Sequence, residues 1–156
     1  MTLAIGTNSY VTLTEANAYF ADRLHTAKWD SALVANQEKA LKEACRRVNR
    51  LTFKGQKLSE TQLLAFPRMM PQFNRIGVIG FTTDSGVPEA VRAAQCEEAL
   101  ALLRFGDSAR ARAQEQSVVS VKFGDVTEEY RASLKLLSPE ALELLKPYLA
   151  GVVSIK

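Results

Sequence analysis

Apolar residues recur at helical spacing in several stretches, and the strongest runs from Gly86 to Phe105, GVPEAVRAAQCEEALALLRF. Pro88 suits a first helical position, because its ring fixes a helical φ and its missing N–H would lack an intrahelical partner there. Beyond it, Ala90, Val91, Ala93, Ala94, Cys96 and Ala99 to Leu103 are interrupted only by Glu89, Arg92, Gln95, Glu97 and Glu98. At about 100° per residue these apolar positions cover most of the helix circumference. The pattern predicts a central helix over about 88–105, packed on more than one side, with Gly106 as its stop.

Earlier in the chain, Thr12-Leu13-Thr14-Glu15 has the form of a capping box, and Leu13, Ala16, Tyr19, Phe20 and Leu24 follow at helical spacing. A first helix is therefore expected to about Leu24. Trp29 pins the connection that follows to the core. From about Asn36 to Leu51, one stripe carries Ala40, Leu41, Ala44, Cys45, Val48 and Leu51, and the pairs Glu38–Lys42 and Glu43–Arg47 stand at i,i+4. This second helix ends in cations that complement its dipole: Arg46, Arg47 and Arg50, then Lys54 and Lys57. Ser59 to Gln62 again fits a capping box and predicts a short helical turn that Pro67 ends. Residues 67–87, rich in proline and glycine, read as a long loop in which RIGVIGF could form a short strand.

After the central helix, DSARARAQEQS is polar and lacks an apolar stripe, so it reads as a linker or frayed extension. Val119, Val121 and Phe123 then alternate up to Gly124-Asp125, with Val126, Glu128 and Tyr130 beyond, predicting a β-hairpin over about 117–131. Ser138 and Pro139 open a short terminal helix with Leu142, Leu145 and Leu149 on one side and Pro147 closing it. Appended hairpin edges and a helix of this length both call for a docking surface. The expected class is mainly α: a small helical bundle around the central helix, with an appended hairpin and a C-terminal helix. It forms one domain, with a body over 1–106 and an assembly segment over 107–156.

Composition narrows the chemistry. With 156 residues, 47% hydrophobic and 24% charged, the chain can bury a core without staples. No apolar run reaches the length of a membrane span, and the first residues lack a signal peptide's pattern, which predicts a soluble cytoplasmic protein with no membrane partner. A net charge of +3 demands no polyanion by itself. Cys45 and Cys96 fall within predicted helices and read as small buried hydrophobes, a disulfide or reactive thiol being the other reading. His25 is the single histidine, and no phosphate-cradling loop, paired-cysteine motif or dinucleotide fingerprint occurs. The expectation is a protein without catalytic residues, metal, cofactor or small-molecule substrate.

Taken in order, Tyr10 to Phe20 (YVTLTEANAYF), Trp29, the Ala40–Arg47 helix, Phe66-Pro67-Arg68, Val87-Pro88, Gly124-Asp125-Val126 and Glu129-Tyr130 resemble one family. It comprises the small head-to-tail connector, or adaptor, proteins of tailed bacteriophages, many of which carry the label of DnaT-like single-stranded DNA-binding protein. Members often have Trp-Pro-Arg where this chain has Phe66-Pro67-Arg68, and Trp near the place of Phe53. The resemblance implies a helical protomer in a homo-oligomeric ring, typically twelve-fold, docked on the portal and joined to a neck or tail completion protein. Its place would be the virion neck, and the host cytoplasm during assembly.

Two readings follow. As a structural connector, the chain would use Val119, Val121, Phe123, Val126, Tyr130, Leu142, Leu145, Tyr148 and Leu149 as assembly contacts, touching DNA at most nonspecifically. As a single-stranded DNA-binding replication accessory, it would use Arg46, Arg47, Arg50, Lys54 and Lys57 as a phosphate track and Phe53, Phe66 or Phe73 as stacking faces.

Overall fold

A computed structural model of the chain describes residues 2–74, 76–83, 86–106, 120–123, 126–129 and 137–150. In chain order these form α1 (Leu13–Ala21), α2 (Ala27–Asp30), α3 (Val34–Asn49), β1 (Gln56–Lys57), β2 (Arg68–Asn74) and β3 (Gly77–Thr83). They continue with α4 (Glu89–Phe105), β4 (Ser120–Phe123), β5 (Val126–Glu129) and α5 (Pro139–Leu145). The architecture is mainly helical, with α3 and α5 packed on α4 and a small antiparallel hairpin, β4–β5. That is the class the periodicity predicts.

Local chemistry explains the helix ends. The Thr12 amide donates to Glu15 Oε2 at 2.7 Å and the Glu15 amide to Thr12 Oγ1 at 3.1 Å, so the predicted box closes. Hydrogen bonding to Thr12 lowers the Glu15 carboxyl below its ordinary pKa. Leu24 lies past the end of α1 and is 86% exposed, so the stripe ends sooner than its spacing suggests. Pro88 caps α4 rather than occupying its first turn, and Gly106 continues in right-handed geometry at φ −54°, without the left-handed turn expected of a glycine stop. Ser138 caps α5, accepting from the Ala141 amide at 3.4 Å.

The core divides between two ends of α4. Toward its start, Val91 and Ala94 meet Tyr10, Cys45, Val48, Phe53, Phe66 and Leu145. Toward its finish, Cys96, Ala99 and Leu100 meet Phe20, Trp29, Ala40, Leu41 and Ala44. Trp29 is buried, with Nε1 donating to Asn17 Oδ1 at 2.9 Å, as its predicted anchoring role requires. Both cysteines are free and buried, and burial pushes each thiol up to about 12.

Two polar residues inside α4 organise what surrounds them. Gln95 accepts from the Tyr10 amide at 2.8 Å and donates to Ser9 Oγ at 2.8 Å and to the Leu41 carbonyl at 2.9 Å, tying the N-terminal turn and α3 to α4. Glu98 accepts from Arg47 Nη1 at 3.3 Å and from the Ser138 amide at 2.6 Å, joining α3 and the start of α5. Desolvation raises the Glu98 pKa against the opposing pull of these donors.

Three expectations need correction. First, residues 68–74 and 77–83 form a β-ribbon in place of a loop: β2 pairs antiparallel with β3, which takes up the GVIGF of the stretch that could form a strand, and β1 adds to β2 at Met69 and Arg68. Pro71 obscures the strand in the sequence, yet β1 pairs only as far as Met69, so the outer edge of β2 at Pro71 carries no ladder partner from β1. Second, Ser59–Gln62 makes a turn, not a helix. The following residues are drawn into extended contact with the core, where the Ala65 amide donates to Asn49 Oδ1 at 2.8 Å and to Tyr10 Oη at 3.1 Å. Third, the terminal helix is not an unpartnered element awaiting another protein. α5 packs on α4, Leu145 is fully buried, and Leu142, Tyr148 and Leu149 pack against the same cluster. A bridge between Phe53 and Leu149 closes that end.

Candidate nucleic-acid interface

Residues 42–57, KEACRRVNRLTFKGQK, carry Lys42, Arg46, Arg47, Arg50, Lys54 and Lys57 against the single carboxylate Glu43. This stretch is therefore +5 (six minus one), while the whole chain is +3. The remainder sums to −2, so the positive charge of the molecule is concentrated where α3 ends.

The helix sets the first part of the arrangement. Lys42, Arg46 and Arg50 stand four residues apart and share one face. Arg46 and Arg50 are exposed. Arg46 Nη2 lies 2.9 Å from Glu43 Oε2, an exposed i,i+3 pair that water and salt screen and a phosphate could displace. Arg47 is different. Its Nη1 reaches the buried Glu98 at 3.3 Å and its Nε lies 3.6 Å from Glu43, so it belongs to the interior network and not to the exposed track.

The turn beyond α3 sets the second part. Lys54 and Lys57 are exposed, their ammonium groups donating to the Pro147 and Gln62 carbonyls at 3.1 and 3.2 Å. Their backbone is held by Arg68, whose guanidinium donates to the carbonyls of Lys54 at 2.8 Å, Gly55 at 2.7 Å, Phe53 at 3.2 Å and Ala65 at 3.2 Å. Gly55 has φ +71°, and a Cβ there would stand 2.0 Å from the Met69 carbonyl oxygen, so only glycine fits this crossing. Arg68 is the residue that sequence reasoning passed over. It was visible only as part of Phe66-Pro67-Arg68, and its carbonyl partners become adjacent through tertiary structure.

Beside the helical row lies a shallow groove lined by Thr7, Asn8, Lys42, Cys45, Arg46, Asn49 and Leu64. The N-terminal turn forms its far wall, held by Asn8 Oδ1 accepting from the Ala4 amide at 2.8 Å. The surface thus combines a cationic row with a rim of neutral hydrogen-bonding groups, suited to phosphate oxygens.

The proposed stacking faces do not accompany it. Phe53 and Phe66 are 6% and 2% exposed, with ring centroids 4.8 Å apart in an edge-to-face pair. Tyr10 and Tyr148 complete that aromatic cluster around Phe66. Helical packing has taken these rings for the core, where each buries more area than a stacked base would cover. The Phe73 side chain lies outside the described residues. Of the expected assembly contacts, Val121 pairs with Glu128 and Phe123 with Val126 in the β4–β5 ladder, while Val119 and Tyr130 lie outside the described residues. No group of three metal-ligating side chains occurs among the described residues.

The model of a family described as "Putative DnaT-like ssDNA binding protein" matches residues 2–156. No curated protein and no solved structure matches. The family description speaks for the nucleic-acid reading, and none of these comparisons shows a head-to-tail connector.

Proposed function

We propose, for a chain that belongs to the family described as putative DnaT-like ssDNA binding protein, that it binds nucleic acid through the phosphate backbone at the carboxyl end of α3, with no catalytic step. The observation that carries this reading is the exposed set Arg46, Arg50, Lys54 and Lys57 on a backbone fixed by Arg68 and Gly55. Cations on a preorganised surface gain from counterion release when they meet a polyanion. With Phe53 and Phe66 committed to the core, attraction comes from phosphates and not from those rings. The test is fluorescence anisotropy of a labelled oligothymidine against the wild type and Arg50→Gln/Lys57→Gln. Loss of two phosphate contacts weakens binding by at least several-fold at low salt. An unchanged affinity overturns the assignment of this surface.

A second reading rests on the hairpin. β4 and β5 pair only with one another among the described strands, leaving outer edges open to another chain. In that reading the protein is a connector in a homo-oligomeric ring between portal and neck of a tailed phage, found in the virion. Val119, Val121, Phe123, Val126 and Tyr130 would be its contacts. Quantitative mass spectrometry of purified particles decides: a fixed few-copy ratio to portal supports it, and absence from particles rules it out.

A further inference from the structure

The groove beside the cationic row offers more than a phosphate needs. It encloses about 270 Å³ between Lys42, Arg46 and Asn49 of α3 and the turn at Thr7 and Asn8, with Cys45 and Leu64 beneath. Pockets that hold a whole drug-sized molecule run from about 300 to 1,000 Å³, so one planar ring fills this one. Its base is apolar, since Cys45 and Leu64 are buried side chains, and the aliphatic stems of Lys42 and Arg46 add apolar wall. Phosphates are met on the open row. A walled hollow with an apolar base suits a ring.

Asn49 fixes what the hollow can recognise. Its Oδ1 accepts from the Ala65 amide at 2.8 Å and from Tyr10 Oη at 2.5 Å, which saturates that oxygen and locks the orientation of the side-chain amide. The Nδ2 end carries two donor hydrogens, and it lies 3.7 Å from the Cys45 sulfur, a weak acceptor. Cys45 and Asn49 both line the groove, so this donor stands at its wall. Asn8 is oriented in the same sense: Oδ1 accepts from the Ala4 amide at 2.8 Å, and Nδ2 uses one of its two hydrogens on the Thr2 carbonyl at 3.1 Å. Lys42 and Arg46 have donors only. Among the described residues no carboxylate lines the groove. Its polar rim is a set of donors.

We propose that this groove seats one base of a bound single strand and prefers a base edge that presents a carbonyl acceptor, thymine before cytosine. The inference rests on the nucleic-acid reading above and adds a base preference to it. Arg46 stands at the rim and Arg50 one turn further on, about 6 Å along α3, so phosphates held by the two leave the base between them free to turn inward. A base paired in a duplex cannot enter without leaving the stack, which restricts the site to single strands. Thymine offers O4 as an acceptor where cytosine offers its N4 amino group, and an amino group facing a rim of donors leaves both sides unpaired. The groove thus supplies the base contact that the buried Phe53 and Phe66 cannot.

The test is fluorescence anisotropy of the full chain at low salt, above neutral pH, with three labelled probes of equal length and charge, about ten nucleotides each. They are an oligothymidine, an oligodeoxycytidine and an abasic sugar-phosphate chain. Oligothymidine binds about five-fold tighter than oligodeoxycytidine, the low end of what one base-edge contact discriminates. It binds about ten-fold tighter than the abasic chain, the worth of one seated base. Asn49→Asp keeps an oxygen for the Ala65 amide and puts an acceptor where Nδ2 stands, so the thymine preference disappears or reverses. Because the probes carry equal charge, their affinity ratio is insensitive to the added negative charge. Equal affinity for oligothymidine and the abasic chain overturns the base site and leaves the phosphate reading standing. So does a wild-type thymine-to-cytosine ratio of one, or a ratio that Asn49→Asp leaves unchanged. The wild-type comparisons decide the matter even where that variant does not fold. Failure to bind any of the three probes defeats the phosphate reading itself, and the base site with it.

Discussion

Leu145→Ala separates a terminal helix that belongs to the core from one that serves only a partner. Leu145 is fully buried in the cluster of Phe53, Phe66, Val91, Ala94, Leu137 and Ala141, and its helix packs along α4. Truncation to Ala loses about 2 kcal/mol of transfer free energy at roughly 0.8 kcal/mol per buried methylene-sized group. The cavity left among rigid aromatic neighbours brings the total to about 3 kcal/mol, within the range measured for buried Leu→Ala changes. For a domain of this size that lowers the thermal midpoint by roughly 6–12 °C. Urea denaturation followed by far-ultraviolet circular dichroism reads it directly, with the midpoint falling by about 1–2 M at a typical slope. A midpoint shift below about 0.3 M would show that α5 contributes nothing to the fold and that its apolar face awaits another chain.

Other perturbations test other parts of the account. Glu98→Gln isolates the buried carboxylate. Its folded pKa is raised by burial, so the native state holds a proton that the unfolded chain releases, and stability falls as pH rises from about 4.5 through the folded pKa. The variant lacks that decline, so its stability relative to wild type increases with pH; denaturation midpoints at several pH values check this, and parallel curves contradict it. Cys45 and Cys96, with thiols pushed up to about 12 by burial, resist alkylation at neutral pH until the chain unfolds; rapid native-state labelling by mass spectrometry would count against their placement. Thr12→Ala removes the cap of α1 and costs about 1 kcal/mol in chemical denaturation.

Much of this fold is legible in the sequence because its helices bury apolar stripes at helical spacing. The Thr12–Glu15 box, the α3 stripe, the many-sided α4 and the Ser138 cap are local signals that local chemistry satisfies. The ribbon β2–β3 was hidden because Pro71 and a register shift at Gln72 and Phe73 break the alternation that marks a strand. Gln95 and Glu98 read as interruptions of an apolar helix, yet each is buried and bonded to segments far away in the chain. Their meaning depends on tertiary partners, which no pattern of spacing displays. The cationic cluster was plain in the residues, whereas its division into exposed Arg46, Arg50, Lys54 and Lys57 and interior Arg47 required the position of Glu98. Phe53 and Phe66 could serve as stacking faces only if exposed; an aromatic next to cations can face either way, and here the core claims both.

Contact with nucleic acid through the α3 end is tested most directly by the salt dependence of oligothymidine affinity. Three to four phosphate contacts give a slope of log affinity against log salt of about −2 to −3 on a single strand. That corresponds to a loss of roughly 20- to 50-fold between 50 and 200 mM salt. Replacing Arg46, Arg50, Lys54 and Lys57 together by Gln brings the slope close to zero along with the affinity. A wild-type slope near zero, or a steep slope that survives the four replacements, would contradict the account.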